Sequence, residues 1–186
     1  MRFACLISDN FEDIEALGTV ALLRRADIRV DLVSVQNEPI VTGFYQTAVQ
    51  ANKLMKHLKT EDYDGVFIPG GKHAWTLRED ISVLKVVREF YEKDKWVMAI
   101  CAAPIVLAAA GIMAGKHYVS YPGTEQAIEG GIYEQKMTVT DGKIITAIGV
   151  GAVLDLALEI IEQVLGKERR DRIQKNIRYK AFETEK

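Results

Sequence analysis

The chain has 186 residues, 48% hydrophobic and 27% charged, with a formal net charge of -2. This length supports one domain over 1–186 with a full core, and the near-neutral charge argues against nucleic acid or an anionic membrane surface as a partner. The two cysteines, Cys5 and Cys101, form neither a disulfide framework nor a metal pattern; no run is apolar enough to span a bilayer, no secretory leader is visible, and reduced thiols suggest a cytoplasmic setting.

In chain order, strands and helices alternate. Residues 3–7 read as a short apolar strand. Asp9-Asn10 is placed to cap a helix from about residue 12 to 25, with Ile14, Leu17, Ala21 and Leu22 as its buried stripe. Residues 28–35 alternate apolar and charged side chains, a second strand. Residues 39–50 carry β-branched residues around one glycine, a hairpin pattern, and residues 52–58 suggest a short helix. A third strand at 65–68 is stopped by Pro69-Gly70-Gly71. A helix begins near Ala74 and continues through the amphipathic run 81–91. Residues 118–121 form a short strand before Pro122, and 124–129 a short helix ended by Gly130-Gly131. Asp141-Gly142 is a strong hairpin turn signal. The strand at 144–148 runs into Gly149-Val150-Gly151, and helices at 152–165 and 168–177 follow. Lys167, Arg169, Arg170 and Arg172 read as the solvated face of the last helix.

The stretch from Trp96 to Pro104 looks built for chemistry. It is a buried strand ending on Cys101, followed at once by helix formers from Ala102 to Ala110. Ala99 and Ala103 are small, as a strained turn holding one nucleophile exposed requires. The helix N-terminus would favour thiolate, the reactive form, and so predicts a depressed Cys101 pKa. The same local pattern fits a buried structural cysteine.

Alternating strands and helices argue for an α/β domain with a mostly parallel sheet. In such sheets ligands bind at the carboxyl ends of the strands. Those ends fall at residues 8–11, 69–72, Cys101, Tyr121-Pro122 and 149–151. The pattern therefore predicts one edge carrying Cys101, the acids near Glu12, and the small-residue turns. Asp9, Glu12, Asp13 and Glu15 also suit a helix N-terminus.

Taken together, Asp9-x-x-Glu12-Asp13-x-Glu15, Pro69-Gly70-Gly71, Ala99-Ile100-Cys101-Ala102-Ala103-Pro104, Ser120-Tyr121-Pro122-Gly123 and Thr140-Asp141-Gly142 resemble the ThiJ/PfpI superfamily, in register from about residue 3 to 166. The resemblance implies a flavodoxin-like three-layer α/β sandwich related to class I glutamine amidotransferase domains. It implies that Cys101 is the reactive elbow cysteine, Glu15 the acid hydrogen-bonded to it, and the Gly71 and Ala102 amides the oxyanion hole. Gly70, His73, Tyr121, Gly149 and Gly151 are the further pocket residues. An ionised Glu15 would repel a thiolate, so Glu15 helps only as a protonated donor. The family commonly forms homodimers; Tyr45 and the helix from Glu168 are the candidate contacts.

The departures are specific. Tyr121 stands where one branch of the family has histidine, and Ala102 where another has histidine directly after the cysteine. Tyr45 and Ile148 stand at two arginine positions. Of the three histidines, His57 and His117 read as structural or solvated, and His73 lies nearest the active edge. The expected activity is cysteine chemistry on small reactive carbonyls, of glyoxalase or deglycase type, with an α-oxoaldehyde such as methylglyoxal as substrate and no cofactor or metal. Amide or peptide hydrolysis is the alternative enzyme. A redox sensor whose Cys101 is oxidised to sulfinic acid, or a binding domain without catalysis, is the non-enzymatic one.

Overall fold

The apolar strands of this chain are buried on both faces, as a parallel sheet between two helical layers requires. In the computed structural model, which describes residues 1–181, the strands are β1 (Arg2–Ile7), β2 (Arg29–Ser34), β3 (Ile40–Thr42), β4 (Ala48–Gln50), β5 (Lys53–Leu54), β6 (Gly65–Ile68), β7 (Trp96–Ile100), β8 (His117–Tyr118), β9 (Ile132–Tyr133), β10 (Thr138–Asp141) and β11 (Ile144–Ala147). The last five residues of the domain expected over 1–186 lie outside the described residues. Seven strands form one sheet in the order β10-β11-β7-β6-β1-β2-β5. Every neighbouring pair in it is parallel except β10 with β11, the predicted hairpin.

Period-two alternation sends side chains of one strand to two cores. Phe3, Cys5 and Ile7 of β1 face the layer of α1 (Asp13–Arg25) and, later in the chain, the helices after β11. Ala4 and Leu6 face α2 (His73–Leu77), α3 (Ile81–Glu92) and α4 (Pro104–Ala109). The first layer is completed by α5 (Val153–Leu165) and α6 (Lys167–Asn176). This is the expected flavodoxin-like three-layer α/β sandwich. Ile173 is buried and Ile177 packs beside it, so the apolar side of α6 covers this chain's own core.

Several local expectations are corrected. The N-cap of α1 is Glu12, whose carboxylate accepts the Glu15 N–H at 2.6 Å; Asn10 instead sits in a turn at φ 69°. The buried stripe of α1 is Glu15, Ala16, Thr19, Val20, Leu22 and Leu23, so Leu22 lies where expected, while Ala21 and Ile14 are exposed, Ile14 at 58%. Two polar residues in that stripe displaced the apparent hydrophobic phase, and one of them is the acid of the site. Residues 52–58 form β5 and a single 3-10 turn. The helix from Ala74 is two helices, because Asp80 caps a new one by accepting the Ser82 N–H at 2.8 Å. The strand near Tyr118 is shorter than expected and pairs with β9, which the sequence pattern did not signal.

Candidate active site

The ends of β11, β7, β6 and β1 are adjacent in the sheet. Gly149, Cys101, Gly70-Gly71 and residues 8–12 therefore meet at one edge. The segment after β1 ties them together. Glu12 N–H donates to the Gly70 carbonyl at 2.8 Å, and Phe11 and Gly71 form an isolated antiparallel bridge.

Cys101 lies just beyond β7 at φ 64°, a left-handed conformation that costs a non-glycine residue about 1–3 kcal/mol. Its own amide donates to Ala147 (2.9 Å), and its carbonyl accepts the Tyr121 N–H (2.8 Å). These bonds hold the turn and bring Tyr121 to the site from outside the main sheet. The small flanks are needed: a Cβ on Gly70 would sit 2.6 Å from Cys101 Cβ and 2.5 Å from Glu15 Oε2. Helix α4 begins only at Pro104 and is six residues long, so Ala102 and Ala103 form the turn. The backbone amides of Ala102 and Gly71 lie beside the sulfur and favour its charged form.

Glu15 is 1% exposed, on the inward face of α1. Its Oε2 accepts the Gly70 N–H at 2.8 Å, and its carboxyl lies beside the Cys101 side chain, each group shifting the other's titration. A Cβ on Gly149 would lie 3.9 Å from Sγ and 4.0 Å from Glu15 Oε1, so Gly149 backs the pair. Burial pushes Glu15 up to about 7, opposed by the hydrogen bonds from Cys101 and Gly70 and assisted by the charge of Glu12. Beside an ionised Glu15, Cys101 is pushed up to about 12, first by burial and then by the carboxylate, against the pull of the Ala102 and Gly71 amides. The depressed thiol expected from the helix terminus and a protonated Glu15 is therefore corrected: burial and the Glu15 carboxylate outweigh the amides and push the thiol up. Thiolate at Cys101 depends on which member of the pair holds the proton. Cys5 is buried within β1, and burial pushes its thiol well up.

An open cavity of about 670 Å³ leads from Cys101. Gly71, Ala102 and Tyr121 line it. Gly70 and Gly149 instead flank the Cys101–Glu15 pair, and a Cβ at Gly151 would meet nothing within 4 Å. His73 is corrected outright. It is 1% exposed, with Nε2 2.8 Å from the Pro69 carbonyl and Nδ1 3.3 Å from the Ser8 amide, so Nε2–H donates and Nδ1 accepts. It braces the Pro69 turn from behind. His117 pairs with Glu134 on the surface, and none of the three histidines lines the cavity.

Burial lowers His73 to about 4. The unfolded chain takes up this proton near 6.5 while the fold resists it, so stability is full above 6.5 and falls as pH drops toward 4. The loss approaches about 1.4 kcal/mol per pH unit in that window. Denaturant melts at pH 7, 6 and 5 should show a smaller decline for His73→Gln than for the unmodified chain. Parallel declines would mean another group is responsible.

Sequence reasoning missed Phe44 and Trp75 on the cavity wall, whereas Lys72 and Val150 lie in turns it placed on that edge. It also assigned Asp9 and Asp13 only to the helix terminus. Asp13 is buried and accepts the Tyr45 N–H (2.9 Å) and the Thr47 N–H (3.2 Å), fixing the tip between β3 and β4. A Cβ on Gly43 would collide with that carboxylate at 2.4 Å. Asp9 accepts the Thr42 N–H at 2.8 Å. An acid at a helix start followed by a glycine-bearing hairpin is the signal that was available.

Among the described residues, no three His, Cys, Asp or Glu side chains gather to hold a metal ion, and no helix is long and apolar enough to cross a membrane. A family model described as the DJ-1/PfpI family matches residues 1–163. An uncharacterized protein of Methanocaldococcus jannaschii is 32% identical over 83% of this chain and 78% of its own length. The Schizosaccharomyces pombe protein named glutathione-independent glyoxalase DJ-1 is 29% identical over 95% of this chain and 98% of its own. The solved structure of oxidized Toxoplasma gondii DJ-1 superposes with a TM-score of 0.91 at 28% identity, over 96% of this chain and 98% of that one.

Proposed function

The chain belongs to the DJ-1/PfpI family, and from that premise we propose that it is a cysteine-dependent enzyme that converts small α-oxoaldehydes to 2-hydroxy acids. One observation carries this reading: Cys101 is held at φ 64°, packed between Gly70 and Gly149 beside the buried Glu15 carboxyl, with the Gly71 and Ala102 amides favouring charge at its sulfur. The Gly71 and Ala102 amides favour negative charge at the sulfur, against burial and the Glu15 carboxylate, while the Glu15 carboxyl accepts one N–H, from Gly70. Donors favour negative charge where they converge. The reactive form is therefore thiolate at Cys101 beside a protonated Glu15.

The thiolate attacks the aldehyde carbon, and the carbonyl electron pair moves onto oxygen. The Gly71 and Ala102 N–H groups transfer from sulfur to that oxyanion, and Glu15 protonates it, giving a hemithioacetal. The Glu15 carboxylate then takes the C1 proton and returns it at C2, while the hydroxyl proton on the C1 oxygen passes to the C2 oxygen through the enediol, which leaves a thioester of the 2-hydroxy acid. Water hydrolyses the thioester and restores the pair. The net change is oxoaldehyde plus water to hydroxy acid, with no external oxidant or reductant. The activity in the name of the Schizosaccharomyces pombe relative supports this reading, and so does the lack of any cavity histidine to serve as base for amide hydrolysis.

The test is lactate formation from methylglyoxal by the purified chain, with Cys101→Ala as the control. Multiple turnovers lost in Cys101→Ala support the proposal. Lactate formed equally by both proteins refutes it, and so does a sulfur that oxidises once without turnover.

A further inference from the structure

We propose that the preferred substrates are α-oxoaldehydes bearing a flat aromatic group, gripped by Tyr45 and Trp75 at the mouth of the Cys101 cavity; this rests on the oxoaldehyde reading above. A volume of about 670 Å³ lies in the range of sites for drug-sized molecules. A three-carbon aldehyde bound at Cys101 would leave most of it empty. The wall is built of rings: Phe44, Tyr45, Trp75 and Tyr121, with Pro122 and Val150 between them. Tyr45 is 68% exposed, Tyr121 54% and Trp75 48%. Large rings left facing a crevice that ends on a reactive sulfur mark a binding surface.

The rings are also held in place. Phe44 meets Tyr45 edge-to-face, 5.1 Å between centroids at 81°. The backbone at Tyr45 is pinned by the buried Asp13 carboxylate. Lys72 Nζ sits 4.7 Å from the Phe44 ring, and the Arg78 guanidinium 5.4 Å from the Trp75 ring. Pre-positioned rings lose little freedom on binding a flat partner, and offset or edge contacts reward an aromatic one over an aliphatic one. Apart from Glu15, the charged residues on the wall are Glu12 and Lys72. Glu12 is already engaged with the Glu15 N–H, so the chemistry of this wall is aromatic before it is ionic.

Phenylglyoxal is the probe, converted with one water to mandelate by the same atom balance as methylglyoxal to lactate. The quantity measured is the ratio of kcat/KM for phenylglyoxal to that for methylglyoxal, which cancels damage common to both substrates. Tyr45→Ala and Trp75→Ala should each lower this ratio about tenfold, the scale of one lost aromatic contact. Both side chains are exposed, and thermal melts confirm that the variants fold. A second arm does not depend on turnover: in Cys101→Ala, mandelate should quench tryptophan fluorescence at concentrations at least about tenfold below lactate. An unchanged ratio in both variants overturns the proposal, as does equal binding of mandelate and lactate. If neither aldehyde is consumed, the enzymatic reading falls, while the fluorescence arm still decides whether the wall selects aromatic ligands.

Discussion

Replacing Glu15 by alanine is expected to slow alkylation of Cys101 at pH 7 by about ten- to a hundredfold. The argument follows from where one proton sits. In the unmodified chain Cys101 and Glu15 titrate as a pair. The first proton leaves near the value of about 7 to which burial raises Glu15. On the proposed assignment the charge it leaves behind rests on the sulfur, drawn there by the Gly71 and Ala102 amides against burial. Alkylation should rise with pH through that step and then level off, with a second rise only toward about 12, when the pair loses its remaining proton. In Glu15→Ala the sulfur stays buried and keeps the two amides but loses its third donor. Burial then dominates, the two steps collapse to one, and that step moves upward. A charge-assisted hydrogen bond of about 1.5–3 kcal/mol sets the size of the loss. Glu15→Gln retains an N–H donor and should lose less. Alkylation rates against pH, read on the Cys101 peptide by mass spectrometry, check all three proteins. Faster labelling of Glu15→Ala at pH 7 would mean that Glu15 is ionised beside the sulfur and repels it, which reverses the charge assignment.

Gly71→Ala should cost the fold about 3 kcal/mol or more and reduce turnover at least about a hundredfold. Gly71 has φ 99°, a region that an L side chain rarely adopts. A Cβ there would lie 2.5 Å from both the Asn10 carbonyl oxygen and the Glu12 nitrogen. These are backbone atoms, so relief requires moving residues 10–12. That segment carries the cap of α1 and the bond from Glu12 N–H to the Gly70 carbonyl. Moving it displaces Glu15 from the sulfur and swings the Gly71 N–H out of the oxyanion position. Gly142→Ala is the matched control, since Gly142 also has positive φ, 61°, but a Cβ there meets nothing within 4 Å. It should cost only the conformational penalty, about 1 kcal/mol. Urea melts and oxoaldehyde turnover on the two variants separate clash from strain. Equal stability of the two would show that the backbone at Gly71 yields without consequence.

The chain's own pattern determined the architecture and the reactive edge. Apolar runs at residues 3–7, 65–68 and 96–100, each stopped by a small-residue or glycine turn, fix strands buried on both faces, and strands of that kind require helices above and below. With parallel strands, the turns after them must share one edge, which groups Cys101, the Gly70-Gly71 turn and the acids near Glu12 from the sequence pattern, while Glu15 is singled out only by the family resemblance. Tertiary structure decided the rest, because it depends on contacts between segments distant in the chain. The phase of α1 was hidden because Glu15 and Thr19 lie in its buried stripe, where hydrophobicity points the wrong way. His73 looked poised for chemistry from its place two residues after Gly71, yet hydrogen bonds to Ser8 and Pro69 turn its ring into the core. Asp13 reads locally as a helix-dipole residue, and only the approach of the hairpin, 32 residues away at Tyr45, makes it the anchor of the cavity wall. The titration of Cys101 is likewise set by burial, by Glu15 and by amides from two separate turns: a strand ending on cysteine places the sulfur, but the groups packed around it determine where its proton resides.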